Sequence, residues 1–570
     1  MSNLQTNLTF QKSEPHSTKG MVATKDRLAT QAGIDMLEAG GNAIDAAVAS
    51  CLAIGVVEPE SSGIGGGGYM VFQVGNEGGV IGFPMKGPLK GTPNMFELTG
   101  EASTEGFGWA GVKNDENIHG FKSIAVPGCL AGLYEAHKKF GKLPFKETIT
   151  PAITLAKNGF QPEWFSLYKL ASMLPMLNRY SELGKTFLPN GNLNFAHMTN
   201  GENKLIQSDL ARTLIEIHDN GIDSFYRGDI TKKIVKDIQE NGGILNFDDF
   251  DQYKPFIWKG LEFKYRNKTL RVPPYASAGI TSAMTLKILN NIDLKKFDHN
   301  SPEMLHHYIC AAKMAYADRF QYLADPEFTD VPWNGLVSDE YSKIRALEIK
   351  KTAPNNFEFG NPWIQEGREP NTFADPSTPS PDNGTTHLAV IDGDGNAVSI
   401  TNTIMSGFGS GIIPKGTGVV MNNGMMWYDP VPGRVNSVAP GKYPLNNMTP
   451  CIVLGNDGVE IAVGASGGRR ITNCVTSLLV KMIDYNLNPQ EAIDAPRVDC
   501  SSDFTDLTSG IDQNTINELI QKGHKINKLS DELLRSGINM FASPVAITRK
   551  NNQLRAGVDS FHTAYAQGLT

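Results

Sequence analysis

The chain has 570 residues, 40% of them hydrophobic, and a formal net charge of −8 with no Lys/Arg-rich run. That length can bury a large core without staples, and it suggests three or four domains unless one large fold takes it all. The charge balance argues against nucleic acid as a partner, because phosphate binding needs clustered positive charge. Cys51, Cys129, Cys310, Cys451, Cys474 and Cys500 are scattered with no CxxC spacing, which reads as reduced core thiols. Met1 to Gly20 has no apolar signal region and no stretch approaches the roughly 20 apolar residues of a membrane span. The cytoplasm is the default location, and no membrane partner is expected.

Met1 to Gly20 is polar and predicts a loose tail. Leu28, Ala32, Met36 and Ala39 predict an amphipathic helix closed by Gly40 and Gly41, and Asn42 can cap a second, Ala-rich helix running to about Ile54. The Gly-rich run Ser61 to Gly68 then precedes a predicted strand, Tyr69 to Val74. Gly63, Gly65 and Gly68 match G-x-G-x-x-G, but a helix comes before and a strand after, the reverse of a dinucleotide site. A tight turn with close backbone packing is the better reading. From about Gly128 to Ile349 the pattern is mostly helical. Pro302 to Arg319 is the strongest case, with Leu305, Ile309, Ala312 and Tyr316 on one face. His306 and His307 lie on it as i and i+1 neighbours, which do not share a face, so no shared metal is expected.

Between Pro354 and Pro381 the composition shifts. Pro362, Pro370, Pro376, Pro379 and Pro381 are interleaved with Asn, Ser and Asp, predicting an extended, exposed linker that ends at Asp382-Asn383-Gly384. Thr385–Ile391, a turn at Asp392–Asn396 and Ala397–Thr403 follow as a hairpin. The Asp392-x-Asp394-x-Asn396 run is similar to a calcium loop. However, Ala397 stands where that loop needs Gly and Thr403 where it needs Glu, so a plain turn is expected. Further strands are predicted at Gly418–Met421, Thr449–Leu454 and Val459–Val463, and a helix from Arg469 to Tyr485.

A strand that begins at Thr385 directly after an exposed linker has a particular chemical use. Cutting the Gly384–Thr385 bond would give Thr385 a free α-amine beside its own hydroxyl. An unperturbed α-amine titrates at about 7.7–8.0, so near neutral pH it can take the hydroxyl proton, and one residue supplies nucleophile and base. The first cut can use the same hydroxyl in an N-to-O acyl shift, with Gly384 leaving the attacked carbonyl sterically open. Gly-Thr-Thr before a strand is common, and spacing alone does not establish this chemistry.

The segment Thr385 to Val398 resembles the small-subunit start of the γ-glutamyltransferase family. The likeness continues through Phe408-Gly409-Ser410-Gly411, Asn422-Asn423, Pro444-Leu445 with Met448 and Pro450, and Gly467-Gly468. It also reaches Gly20 to Ala23, Gly40 to Ala47, the Gly65–Gly68 run, Tyr316 to Arg319 and Val331 to Trp333. Nearly the whole chain is covered, in order. The resemblance implies an α+β fold, the αββα N-terminal-nucleophile hydrolase sandwich. It also implies a chain that splits itself into a large subunit, 1–384, and a small subunit, 385–570, which stay together. By position it makes Thr385 the nucleophile, Thr403 the threonine that hydrogen-bonds it, and Gly467 and Gly468 the oxyanion donors. Two N–H groups just before a helix suit that last role.

The substrate-gripping positions depart from the family. Its Arg, which holds the α-carboxylate of the γ-glutamyl group, aligns with Pro84, leaving Lys86 as the nearby cation. Its Asn after the second strand aligns with Met405. The Gln and Asp that help hold the α-amino group align with Gly424 and Trp427, and its two serines with Asn446 and Asn447. Charged hydrogen bonds contribute about 1.5–3 kcal/mol each, so a zwitterionic glutamyl group would bind far more weakly here. Met425, Met426, Trp427 and Tyr428 suggest an apolar acyl pocket in which Asn446 and Asn447 could hold an amide or a carboxylate, although ordinary core packing explains the same cluster.

The expected function is a self-processed amidase or acylase on a small-molecule, non-γ-glutamyl amide, working through an acyl-Thr385 ester. The main alternative is true γ-glutamyl transfer or glutathione hydrolysis. A third reading takes Gly464-Ala465-Ser466-Gly467-Gly468 as a nucleophile elbow with Asp494 or Asp499 and His524. A fourth takes the chain as a binding protein that has lost activity. No cofactor or metal is implied.

Overall fold

The computed structural model describes residues 10–103, 109–193, 204–369, 384–529 and 541–570. Two antiparallel seven-stranded sheets pack face to face. The first runs, edge to edge, Tyr565–Gly568, Gly20–Thr24, Thr385–Asp392, Ala397–Thr403, Gly67–Val74, Glu77–Phe83 and Phe256–Trp258. The second runs His16–Ser17, Gln553–Val558, Ser543–Lys550, Gly458–Ser466, Cys451–Gly455, Lys268–Val272 and Leu261–Tyr265.

Both faces of the central strands are buried, and the side-chain period of two divides each of them between two cores. Ala389 and Ile391 point into the inter-sheet core with Tyr69, Val71, Ile452, Ala462, Val545 and Ile547. Their neighbours Leu388, Val390, Met70 and Phe72 point outward to the helices. Helices Arg27–Glu38 and Ala43–Val57 cover the first sheet, Gly279–Asn290 and Arg470–Asp484 cover the second, and Pro302–Tyr322 packs on Gly279–Asn290. This is the αββα sandwich implied by the family resemblance. Helix Ala43–Val57 is apolar all round because it lies between the first sheet and helix Phe145–Asn158. Its start is fixed by a capping box, in which Asn42 accepts from Asp45 and Asp45 returns a bond to the Asn42 N–H.

Each sheet contains strands from before and from after Thr385. The strand Thr385–Asp392 is paired on one side with Gly20–Thr24 and on the other with Ala397–Thr403, whose far side pairs with Gly67–Val74. Neither half of the chain closes a sheet alone.

The structure corrects several local expectations. The described part of the tail is tied down: His16 and Ser17 pair with Arg555 and Leu554, using the free edge of Gln553–Val558. The mostly helical stretch contains three strands at 256–272, and Leu261, Phe263 and Tyr265 alternate with Glu262 and Lys264 as a sheet edge requires. Gly418–Met421 is not a strand, since left-handed Gly416 and Gly418 break the extended backbone and Met421 bonds back to Ile412. In the linker, Pro362–Glu366 forms a short 3-10 turn that buries Trp363 completely. Pro370, Pro376, Pro379, Pro381, Asp382 and Asn383 lie outside the described residues.

Candidate active site

The hairpin register places Thr385 directly opposite Thr403. Thr385 Oγ1 donates to Thr403 Oγ1 at 3.1 Å, and the Met405 N–H donates to the same oxygen at 2.8 Å. Thr403 Oγ1 in turn donates to the Gly384 carbonyl through a short contact. One hydroxyl thus accepts two bonds and donates its proton to the third partner, using its full capacity. Thr385 is 7% exposed and Thr403 fully buried. A Cβ on Gly384 would lie 2.2 Å from the Met405 carbonyl oxygen, so only glycine lets the chain pass there without a shift.

The segment after Thr403 is held from several sides. Ile404 N–H bonds the Ser61 carbonyl at 3.3 Å and Phe408 N–H the Glu60 carbonyl at 2.9 Å, while Met405 sits at a left-handed φ of 87°. The Gly-rich run is the close packing its sequence context suggested: a Cβ on Gly66 would meet the Thr403 carbonyl at 2.2 Å. Asn422 is committed to Gly65 and Ala125, and Asn423 to Ile118 and Ser406. These two asparagines fasten the loop to its surroundings.

Gly467 and Gly468 follow the strand Gly458–Ser466 and precede helix Arg470–Asp484, at φ 130° and 60°. That strand lies across the hairpin. Ser399, paired with Ala389, donates to the Val463 carbonyl at 3.0 Å, and Gly464 lies so close to His387 that a Cβ would be 2.2 Å from its ring. Advancing from Val463 to Gly464 therefore moves from the level of Ala389 to that of His387, and the next residues run toward the Thr385 end. His387 bonds Thr401 Oγ1 at 3.0 Å, and burial pushes its pKa down to about 3, so it stays neutral.

Lys25, which no sequence motif marks, reaches the strand that begins at Thr385. Its Nζ donates to the Thr385 carbonyl at 3.3 Å and pairs with Glu58 at 2.8 Å, with both side chains almost fully buried. Nearby, burial pushes Glu60 up to about 8 and Asp26 up to about 7. Buried charges carry no local sequence signature, and the Glu58-Pro59-Glu60 run reads as an ordinary turn.

The expected substrate-binding residues divide. Asn446 Nδ2 donates to Tyr69 Oη at 3.1 Å and the Ala276 carbonyl at 2.9 Å, and its Oδ1 accepts from Met448 N–H, so this amide is used by the fold. Tyr428 is buried with its hydroxyl on the Lys442 carbonyl. Lys86 lies over the Tyr443 ring, 5.2 Å from its centre. Met405 contributes its backbone N–H to Thr403. Trp427 and Asn447, by contrast, line a common cavity with Arg319 and Arg469.

The nucleophile-elbow constellation is not assembled. Ser466 Oγ lies 3.5 Å from the Ser543 carbonyl, Asp499 accepts from Asn473 and Ser501, and Asp494 accepts from Ser560. His524 instead meets His306 at 2.8 Å, with Cys310 beside them. This buried trio could offer ligand atoms to a metal. In the structure His306 Nε2 faces the Lys350 carbonyl at 2.8 Å and must carry its proton, which leaves Nδ1 to accept from His524. Asp392 accepts from Asp394, Asn396 and Ala43 N–H groups, closing the hairpin turn and capping a helix.

Among the described residues no helix is long and apolar enough to cross a membrane. The family model for gamma-glutamyltranspeptidase matches residues 29–568. The glutathione hydrolase proenzyme of Escherichia coli is 34% identical over 89% of this chain and 86% of that protein. The acylase ACY 1 proenzyme of Pseudomonas sp. strain V22 is also 34% identical, over 91% of this chain and 89% of that protein. The crystal structure of cephalosporin acylase from Bacillus halodurans superposes with a TM-score of 0.85 and 26% identity, covering 100% of this chain and 99% of that one.

Proposed function

The chain belongs to the gamma-glutamyltranspeptidase family and is an enzyme of the N-terminal-nucleophile hydrolase class, and we propose that within it this protein is a self-cleaving acylase using Thr385 on a non-γ-glutamyl amide. The observation that carries the proposal is the continuous link from Thr385 Oγ1 through Thr403 Oγ1 to the Gly384 carbonyl. Nucleophile and electrophile belong to adjacent residues, and the Thr403 hydroxyl polarises the carbonyl to be attacked. Thr385 Oγ adds to the Gly384 carbonyl carbon. The Gly384–Thr385 C–N bond then breaks, nitrogen gains the proton lost by oxygen, and water hydrolyses the resulting ester. The freed α-amine next takes the proton of the same hydroxyl as it attacks a substrate amide, with Gly467 and Gly468 N–H groups receiving the developing negative charge. The substrate C–N bond breaks, the amine leaves with that proton, and water hydrolyses the acyl-Thr385 ester to the acid.

The interleaved sheets support two fragments, 1–384 and 385–570, that remain one body. Six free, buried cysteines support a reducing compartment, and we place the protein in the cytoplasm, which cell fractionation would test. Pro84, Met405 and Trp427 support an acyl group other than γ-glutamyl. Equal identity to a glutathione hydrolase and to an acylase keeps γ-glutamyl chemistry as the second reading. Purified, self-cleaved protein should hydrolyse simple acyl anilides and leave a γ-glutamyl anilide nearly untouched. Turnover of the γ-glutamyl anilide alone would establish the second reading instead.

A further inference from the structure

Three side chains with metal-ligating atoms meet between helix Pro302–Tyr322 and the turn after helix Gln513–Gln521. His306 and Cys310 stand on successive turns of the first helix, four residues apart and so on one face. His524 comes from the turn, where its backbone N–H bonds the Leu519 carbonyl. All three are buried, and their ligand atoms lie within 4.8 Å of one another. His306 Nδ1 is 2.8 Å from His524 Nε2, and Cys310 Sγ is 3.9 Å from His306 Nδ1. Gly523 and Lys525 on either side of His524 are exposed, so an ion has a short way in from solvent.

The surroundings orient this trio. His306 Nε2 donates to the Lys350 carbonyl at 2.8 Å, which leaves a lone pair on Nδ1, the atom facing His524. A ligating histidine is commonly held by such a bond from its other ring nitrogen. His307, the next residue, is turned elsewhere, with Nδ1 on the Glu303 carbonyl and its ring stacked on Phe297. With bonds of about 2.0–2.1 Å to nitrogen and about 2.3 Å to sulfur, an ion sets two nitrogens about 3.4 Å apart and nitrogen and sulfur about 3.7 Å apart. The Cys310 distance is already close to that spacing, and the histidine pair opens by about 0.6 Å to reach it. On binding, the His524 proton moves from Nε2 to Nδ1, a buried atom with no partner, and the Cys310 thiol proton passes to water.

The donor set also selects the ion. Among the described residues no fourth His, Cys, Asp or Glu joins the group, whereas structural zinc takes four ligands. Lys313, on the Ser502 and Asp503 carbonyls, and Lys522, 3.9 Å from Glu303, both oppose positive charge on His524. A monovalent ion with one thiolate adds no net charge there, and thiolate and imidazole both suit monovalent copper. We infer that His306, Cys310 and His524 form a three-coordinate site for Cu(I). His306 and Cys310 precede Gly384 and His524 follows Thr385, so the ion also links the fragments 1–384 and 385–570. The site itself needs only the fold, and its role as a link rests on the proposed self-cleavage.

The test is titration of the self-cleaved protein and of the uncut Thr385→Ala chain with Cu(I), kept reduced and buffered by a chromogenic Cu(I) chelator. Zn(II) is titrated in parallel, and both ions are repeated on Cys310→Ser and His524→Gln. Cut and uncut chains should each bind one Cu(I), and each site variant should lose affinity by about 100-fold or more while still cleaving itself. Cu(I) should raise the melting temperature of the wild type and of neither site variant. X-ray absorption of the loaded wild type, which needs no variant, should show one sulfur and two nitrogen neighbours. No Cu(I) binding by the wild type, binding that both variants keep, tighter binding of Zn(II), or copper without a sulfur neighbour would overturn the site. A chain that cleaves itself without binding Cu(I) refutes the site alone. One that binds Cu(I) but stays whole contradicts the proposed function alone.

Discussion

The end of the Thr385 hairpin and the cavity wall of Trp427, Arg319 and Arg469 are built on opposite principles. The hairpin end uses hydroxyls, glycines and backbone groups: Thr385, Thr403, Gly384 and the N–H of Met405. The wall uses large and charged side chains, Trp427, Arg319 and Arg469, packed over neutral hydrogen-bonding groups. On the proposed roles, the first arrangement meets any amide and the second selects the acyl group, which fits a family that carries acylase and glutathione hydrolase names on proteins equally similar to this one.

If the two regions are separate in this way, substitutions at the hairpin end should strike self-cleavage, and substitutions in the wall should strike stability or selectivity. The largest effect is expected from Thr403→Val, which removes the hydroxyl bridging nucleophile and carbonyl. Self-cleavage, followed as loss of the intact chain on denaturing gels, should slow by about 10²–10³, the scale of losing one preorganised donor, and Thr403→Ser should recover much of it. Gly384→Ala comes next. Its new methyl group meets the Met405 carbonyl at 2.2 Å, and a displacement of about 1 Å at a reacting carbonyl costs on the order of 100-fold. An unchanged rate would show that the close passage at Gly384 does not matter.

Beside the wall residue Asn447, Asn446→Ala should lower stability by about 2–3 kcal/mol in denaturant unfolding, because Tyr69 Oη and the Ala276 carbonyl lose a buried partner. If instead stability holds and only substrate KM rises, Asn446 belongs to the acyl site after all. The smallest effect concerns pH. Burial first, and then Glu58, push Glu60 from 4.5 to about 8, so the folded chain keeps a proton that the unfolded chain releases. That contribution is complete below about pH 4.5 and declines as pH rises toward 8, by up to about 1.4 kcal/mol per unit. Melting temperatures measured across this window should fall less steeply in Glu60→Gln than in the wild type.

Much of the hairpin end was legible in the sequence. The Thr385 to Thr403 pattern alternates in period two around a turn whose Asp392 makes the hydrogen bonds that close it. The wall was less legible. Asn446 and Asn447 are neighbours in sequence, yet one is consumed by Tyr69 and Ala276 while the other faces the cavity. Arg319 ends a segment, Tyr316 to Arg319, that carries the family likeness without suggesting a role for its guanidinium, and Lys25 meets Thr385 across the sheet from 360 positions away. Such contacts depend on how strands from distant parts of the chain are ordered, and no local periodicity encodes that order. The strands at 256–272 were missed for a related reason, since short strands embedded among helices give little periodic signal.

The most direct test of the central claim is the intact mass of the denatured protein, wild type beside Thr385→Ala. The account predicts two fragments for the wild type, 1–384 and 385–570, with the second beginning at Thr385, and a single uncut chain for the variant. A wild type that stays whole under conditions favouring processing, or a variant that is cut at the same bond, would contradict it.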